Sequence, residues 1–260
     1  MIRKLVNLFR MPVLVRNWFF VAICSISSQL IHFLRIRKTF LYIVHLRIGF
    51  VIILKGGFNA HDIGDIFEVF SKRVYMPKQF SNLVLSSIPE NGDVNIVDIG
   101  ASNGDFTLYI SNLIPRSKVY SYEADPGTFR ILQSNMLLNK MGDEKVSIFN
   151  KFIYNNSSVG NGIILGKEIE CGTLQDILSL LNNIHLLKLD IEGEEFDVLL
   201  SLKHDELRKI SFITMEIHLH TASYRKKYYQ LCDYLENNGF VIQVVMRTEA
   251  IGYFYGICKV

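Results

Sequence analysis

The sequence predicts an α/β fold: a mostly parallel sheet of seven strands covered by helices on both faces, with an N-terminal helix and β-hairpin ahead of it. Three observations carry this. From residue 95 onward short apolar runs alternate with helix-periodic segments, the pattern of strand–crossover–strand units whose sheet is buried on both sides. The run Val94–Asp105, reading VNIVDIGASNGD, passes from a strand into a glycine-rich turn and on into a helix. A second apolar strand about twenty residues further on ends in an acidic residue, Glu123.

The N-terminal part is basic and apolar. Arg3, Lys4, Arg10 and Arg16 precede the uncharged run Trp18–Ile26, and Arg35, Arg37 and Lys38 follow it. Residues 1–61 hold nine of the 28 Lys and Arg and none of the 25 acids, so this part carries +9 and the remainder −6 within a net charge of +3. Three readings stand open: a helix packed on the rest of the chain, an amphipathic helix on an anionic membrane surface, or a spanning or signal segment. A span needs about 20 predominantly apolar residues, and Asn17, Gln29 and His32 dilute the stretch between Arg16 and Arg35. There is no dense Lys/Arg patch of the kind nucleic-acid binding relies on, so no nucleic-acid partner is expected.

Thr39–Leu46 and Phe50–Lys55 read as two strands about Arg47-Ile-Gly49, closed by Gly56-Gly57. Residues 1–60 are therefore expected to be an extension, and 61–260 the principal domain. His61–Tyr75 has helical spacing at Ile63, Ile66, Phe67 and Phe70; Pro77 marks a break, Gln79–Ile88 a helix and Pro89–Asp93 a loop. Strands follow at Asn95–Ile99, Val119–Tyr122, Val146–Ile153, Leu186–Ile191 and Ser211–Ile217. Helices are expected at Gly104–Leu113, Gly127–Leu138, Leu174–Leu181, around Glu195–Leu200, and at Tyr224–Asn237. Phe240–Met246 and Tyr253–Lys259 are expected as an antiparallel pair at one edge. The four cysteines, at 24, 171, 232 and 258, show neither a zinc spacing nor a disulfide framework, which suits a reducing, cytoplasmic setting.

A buried strand feeding a glycine turn brings bare N–H groups up to a ligand, and the carboxylate of Glu123 is placed to accept from ribose hydroxyls. Dinucleotide sites want G-x-G-x-x-G; here the pattern is D-x-G-x-x-x-G, with Ser102 at the middle position, so a pyrophosphate is not expected. The run Asp98-Ile-Gly-Ala-Ser-Asn-Gly104 resembles the first motif of class I, Rossmann-like S-adenosylmethionine-dependent methyltransferases, and Tyr122-Glu123-Ala-Asp-Pro126 their second. Thr173–Leu178, then Leu187-Lys-Leu-Asp-Ile-Glu-Gly-Glu-Glu195, then Ile213-Thr-Met-Glu-Ile-His218 resemble in order and spacing the FkbM family of these enzymes. The resemblance covers roughly residues 96–245, and Ser102 and Ala124 depart from the family's usual Asn and Pro.

The resemblance implies an S-adenosylmethionine site made by Asp98, Gly100, Ser102, Asn103, Gly104 and Glu123. Asp98 would shape the turn, meet the amino-acid part of the cofactor, or cap the helix near Gly104. Lys188, Asp190 and Glu192 share one face of their strand, and Thr214, Glu216 and His218 one face of the next. Buried charges are costly unless paired or ligand-bound. Two roles stay open: a structural ion pair such as Lys188 with Glu216, or catalysis, with His218 the first choice as general base and Asp190 the second. Tyr75 and Glu68 resemble the family's segment ahead of the first motif, which could close over the cofactor. A divalent ion on Asp190, Glu192 and His218 is a further option, but no metal-specific spacing supports it and no metal is assigned.

The implied activity is methyl transfer to a hydroxyl of a sugar, glycolipid or related metabolite, at the cytoplasmic membrane face if the N-terminus attaches there. A non-catalytic membrane-associated binding protein on the same fold is the alternative.

Overall fold

The computed structural model describes residues 11–34, 39–57, 63–155, 161–164, 167–191 and 193–259. The basic residues 3, 4, 10, 35, 37 and 38, and Glu192, lie outside this set. Helix α1 (Trp18–Phe33) packs on an antiparallel hairpin of β1 (Thr39–His45) and β2 (Val51–Gly57), paired from Thr39 opposite Gly57 to His45 opposite Val51. Val21 and Cys24 of α1 and Tyr42, Val44, Ile52 and Leu54 of the hairpin share one core with Phe67, Phe106, Leu132 and Met136. The N-terminal extension and the principal domain are thus packed as one body. Among the described residues no helix is long and apolar enough to cross a membrane.

After the hairpin a single α-turn, Ile63–Ile66, runs into a π-helix, Phe67–Lys72, which ends at Arg73 with φ 53°. One α-helix was expected here. Apolar spacing cannot distinguish the two, because the wider turn buries Val69 as well as Phe67 and Phe70. Helix α2 (Lys78–Ser87) starts directly after Pro77, whose extended backbone suits an N-cap.

The sheet begins with β3 (Val94–Ile99), and α3 (Asp105–Leu113), β4 (Ser117–Tyr122), α4 (Pro126–Leu138) and β5 (Val146–Phe149) follow. Asp125 caps α4, its Oδ1 accepting from Thr128 N–H at 2.7 Å, with Pro126 in the first turn. The strand expected at Val146–Ile153 is split. Asn150 leaves the sheet to donate to the carbonyls of Glu123 (2.8 Å) and Ala124 (3.1 Å), and the chain enters a second sheet as β6 (Lys151–Tyr154). That three-stranded sheet is completed by β7 (Asn161–Ile164) and β8 (Lys167–Thr173), in the order β6-β8-β7. Neither β7 nor β8 was expected, since their Asn, Gly and Lys content reads as loop.

A Thr173/Asp176 capping box opens α5 (Leu174–Leu180), and β9 (Ile184–Leu189), α6 (Glu195–Leu200), β10 (Ile210–His218), α7 (Ala222–Asn237), β11 (Phe240–Met246) and β12 (Ile251–Cys258) complete the chain. The large sheet runs β11-β12-β10-β9-β3-β4-β5, parallel except for β12, which is antiparallel to both neighbours. This is a Rossmann-like doubly wound sheet. Strands β3 and β9 are buried along their whole length, as central parallel strands are. The winding reverses between them, and there the carboxyl ends leave a crevice.

Candidate active site

The crevice is a cavity of about 460 Å³. One wall is the turn after β3. Gly100 has φ 78°, and a Cβ on it would sit 1.9 Å from the carbonyl oxygen of Asp190, so the turn and the end of β9 touch backbone to backbone. Gly104 has φ 84°, and its missing side chain admits Leu132 and Met136 of α4. Between them Ser102 adopts φ 50°, left-handed without being glycine. The N–H groups of Gly100 and Ala101 both donate to the carbonyl of Tyr122 at 2.9 Å, which ties the turn to the end of β4.

Glu123 bridges the two loops. Its Oε2 accepts from Ser102 N–H and its Oε1 from Asp125 N–H, each at 2.8 Å. Burial raises its pKa, and these two hydrogen bonds pull it part of the way back. Each oxygen keeps acceptor capacity beyond its backbone bond, and Glu123 lines the cavity with Gly100 and Ser102. Asn103 is buried outside the lining; its carbonyl accepts from Asn135 Nδ2 at 2.8 Å.

Asp98 is fully buried below the turn. It faces Lys188 Nζ at 3.1 Å and accepts from the Thr107 hydroxyl at 2.7 Å, and Thr107 meets Ser121 at 2.8 Å. Gly104 takes the N-cap position of α3 without any side-chain cap, so Asp98 caps no helix. Its partner Lys188 also donates to the Gly100 carbonyl at 2.6 Å, lies 3.9 Å from Asp190, and sits 5.3 Å from the Tyr75 ring centroid. Burial would lower the Lys188 pKa, but Asp98, Asp190 and Asp105 outweigh it and raise it. Lys188 is thus an ammonium that locks the glycine turn to β9. Its ion pair is with Asp98, not with Glu216. Lys188 of β9 is in register with Thr214 of β10, so the two side chains lie side by side on one face of the sheet.

The other end of the cavity is built from side chains. Asp190 accepts from the Tyr75 hydroxyl at 2.7 Å. Burial, with Asp190 and Glu216 nearby, holds the Tyr75 phenol well above its ordinary pKa, so it stays a donor. Glu216 lines the same end with Glu68, both near Arg247, whereas Asp65 lines the cavity toward Asp105. Behind them Arg247 holds Glu68 through two contacts, 2.7 and 3.0 Å, and Tyr253 donates to Glu68 at 3.2 Å. Asp105 also lines the cavity; burial first, then Asp65, pushes its carboxyl up to about 7. Glu195, at the start of α6, accepts from Ile191 and Gly193 N–H, both at 2.8 Å, and shapes the loop after β9; burial raises it to about 7.

Of the residues singled out in the sequence, Gly100, Ser102, Glu123, Lys188 and Asp190, with Glu68, Tyr75 and Glu216, come together at the cavity, whereas Asp98, Asn103 and Gly104 stand outside its lining. His218 does not line it; it is buried at the end of β10 with its ring 5.9 Å from that of His220. Glu192 lies outside the described residues. Among those described, no cluster of His, Cys, Asp and Glu could hold a metal ion. Sequence reasoning missed Asp65, Asp105 and Lys151 as lining residues, as well as the Arg247–Tyr253 support. Asp105 alone stood beside a recognised motif.

The sequence model described as Methyltransferase FkbM domain matches residues 98–242. The chain is 25% identical over 213 residues to Methyltransferase 1 of Beauveria bassiana, covering 68% of this chain and 82% of that protein. Among solved structures it is similar to a precorrin-6y C5,15-methyltransferase from Geobacter metallireducens, at 16% identity and TM-score 0.43 over 73% of this chain and 93% of that one. It is also similar to the human methyltransferase 10 domain containing protein, at 12% identity and TM-score 0.44 over 69% and 79%.

Proposed function

The chain belongs to the FkbM methyltransferase family, and on that premise we propose that it is an S-adenosylmethionine-dependent O-methyltransferase acting on a hydroxyl of a sugar, glycolipid or related metabolite. The observation that carries the reading is the position of Asp190. Its backbone closes against Gly100, and its carboxylate, held by Tyr75, lines the same cavity as Glu123.

The residues present fit the cofactor. Glu123 has acceptor capacity left on both oxygens for a ribose diol, and the glycine turn lets backbone approach closely without a Cβ in the way. When bound, S-adenosylmethionine supplies a methyl group on a sulfonium, transferred by in-line displacement. The protein's share is then position and proton. Lys188 fixes the turn, while Glu68 and Glu216 line the cavity beside Asp190 and Tyr75. Asp190 takes the proton of the attacking hydroxyl at the oxygen not engaged by Tyr75, and the Tyr75 hydrogen bond stabilises the carboxylate until then. Lys188, held as an ammonium, cannot be that base.

The test is transfer of radiolabelled methyl from S-adenosylmethionine to a panel of saccharides, glycolipids and amines. Label in a base-stable ether on a saccharide or glycolipid is expected. Label confined to amines would overturn the hydroxyl assignment, and no transfer to any member would oppose catalysis on this acceptor class.

A further inference from the structure

Helix α1 is turned inside out for a helix on the surface of a protein in water. Its buried face carries Val21, Cys24, Ser25 and Ser28, whereas Phe19, Phe20, Ile23, Ile26, Leu30 and Leu34 point outward, each between 50% and 66% exposed. Their spacing of three and four residues puts them on one side of the helix. A surface helix ordinarily buries such side chains and leaves serines in water, and a contiguous exposed apolar face of this kind marks a binding surface. Trp18, at the helix start, is 40% exposed, and Arg16 and Arg47 are exposed beside it.

We propose that this face of α1, with Arg16 and Arg47, lies on the surface of an anionic lipid bilayer. Charge selects the occupant. No acidic residue occurs in the first 61 positions of the sequence against nine basic ones, so a second copy docking through this segment would bring like charges together, whereas anionic headgroups neutralise them. Length selects the mode. Sixteen residues of helix rise about 24 Å, short of the roughly 30 Å hydrocarbon core, so α1 lies in the interface and does not cross.

The attachment is rigidly coupled to the rest of the molecule. On the α4 side Asn135 bonds both the N–H (2.7 Å) and the carbonyl (3.1 Å) of Ile53, and Asn139 does the same for Val51 at 2.9 and 2.7 Å. Two amides one helical turn apart thus replace a third strand on the open edge of β2. Asn135 Nδ2 also reaches the Asn103 carbonyl in the cofactor-side turn. A bilayer bound by α1 would therefore hold the cavity at a fixed orientation to its surface.

Trp18 is the chain's one tryptophan, which makes the wild-type protein its own reporter. Full-length protein is mixed with vesicles of phosphatidylcholine alone or with phosphatidylglycerol, at low and high salt, and followed by co-sedimentation and Trp18 emission. Sedimentation with the anionic vesicles and a shift of emission to shorter wavelength are expected, both reduced by salt. The triple change Phe19→Ser, Ile23→Ser, Ile26→Ser should weaken this binding at least about tenfold without lowering the unfolding temperature, because these side chains face outward. Wild-type protein that stays in the supernatant with unmoved emission overturns the proposal. So does a stable dimer in which Trp18 emission is already shifted and vesicles change nothing.

Discussion

At one end of the cavity stands the glycine turn, with Gly100 and Ser102 in the lining, drawn against the carbonyl of Asp190 and tied to the next loop by Glu123, which accepts from Ser102 and Asp125 N–H. At the other end are side chains from segments far apart in the chain: Glu68, Tyr75, Asp190 and Glu216, with Arg247 and Tyr253 behind. Lys188 joins the two ends, bonded to the Gly100 carbonyl and near Asp190.

The sharpest way to break the backbone end is Gly100→Ala. The added Cβ meets Asp190 carbonyl at 1.9 Å and the positive φ adds strain, so the loss of stability should reach about 3 kcal/mol or more, read by urea unfolding, with cofactor binding abolished. Next is the joint between the ends. Lys188→Met strands buried Asp98 and should cost about 3–5 kcal/mol; adding Asp98→Asn should recover a good part of it, and additive losses in that double mutant would deny the pairing.

At the side-chain end, Asp190→Asn should lower kcat by about 10²-fold or more with the folding midpoint little changed. Full turnover in that variant would move the base elsewhere, and His218→Ala would then be the next variant to assay. The smallest effect concerns pH. Asp105 is raised from 3.8 to about 7, so the folded state holds more protons than the unfolded one across that interval and stability falls as pH rises through it. Asp105→Asn keeps an acceptor for Phe106 N–H and removes the charge. Variant and wild type should unfold alike near pH 4, and at pH 8 the variant should be more stable by about 1–3 kcal/mol.

The backbone end was legible in the sequence because its parts are adjacent: a strand, two glycines and an acid at the end of the next strand. Strand alternation likewise gave the sheet, down to the antiparallel β11–β12 pair. The side-chain end was legible only in fragments. Lys188 and Asp190 stood in a recognisable block, but the partner of Lys188 lies 90 residues earlier on β3, a pairing set by strand order and not by spacing. His218 stands at a strand end, where a ligand-facing residue is expected, yet it does not line the cavity. The π-helix was hidden because its apolar positions also fit an α-helix, and the β6-β8-β7 sheet because β6 reads as the continuation of β5 while β7 and β8 are short and interrupted by Gly162 and Gly172.

The division of labour between the two ends is tested most directly by calorimetric titration with S-adenosylmethionine of the wild type, Glu123→Ala and Asp190→Asn, each shown to be folded. Micromolar binding is expected for the wild type, binding weaker by about tenfold or more for Glu123→Ala from loss of the charge-assisted ribose bonds, and near-wild-type affinity for Asp190→Asn. A folded wild type that does not bind, or affinity indifferent to Glu123, would contradict that division.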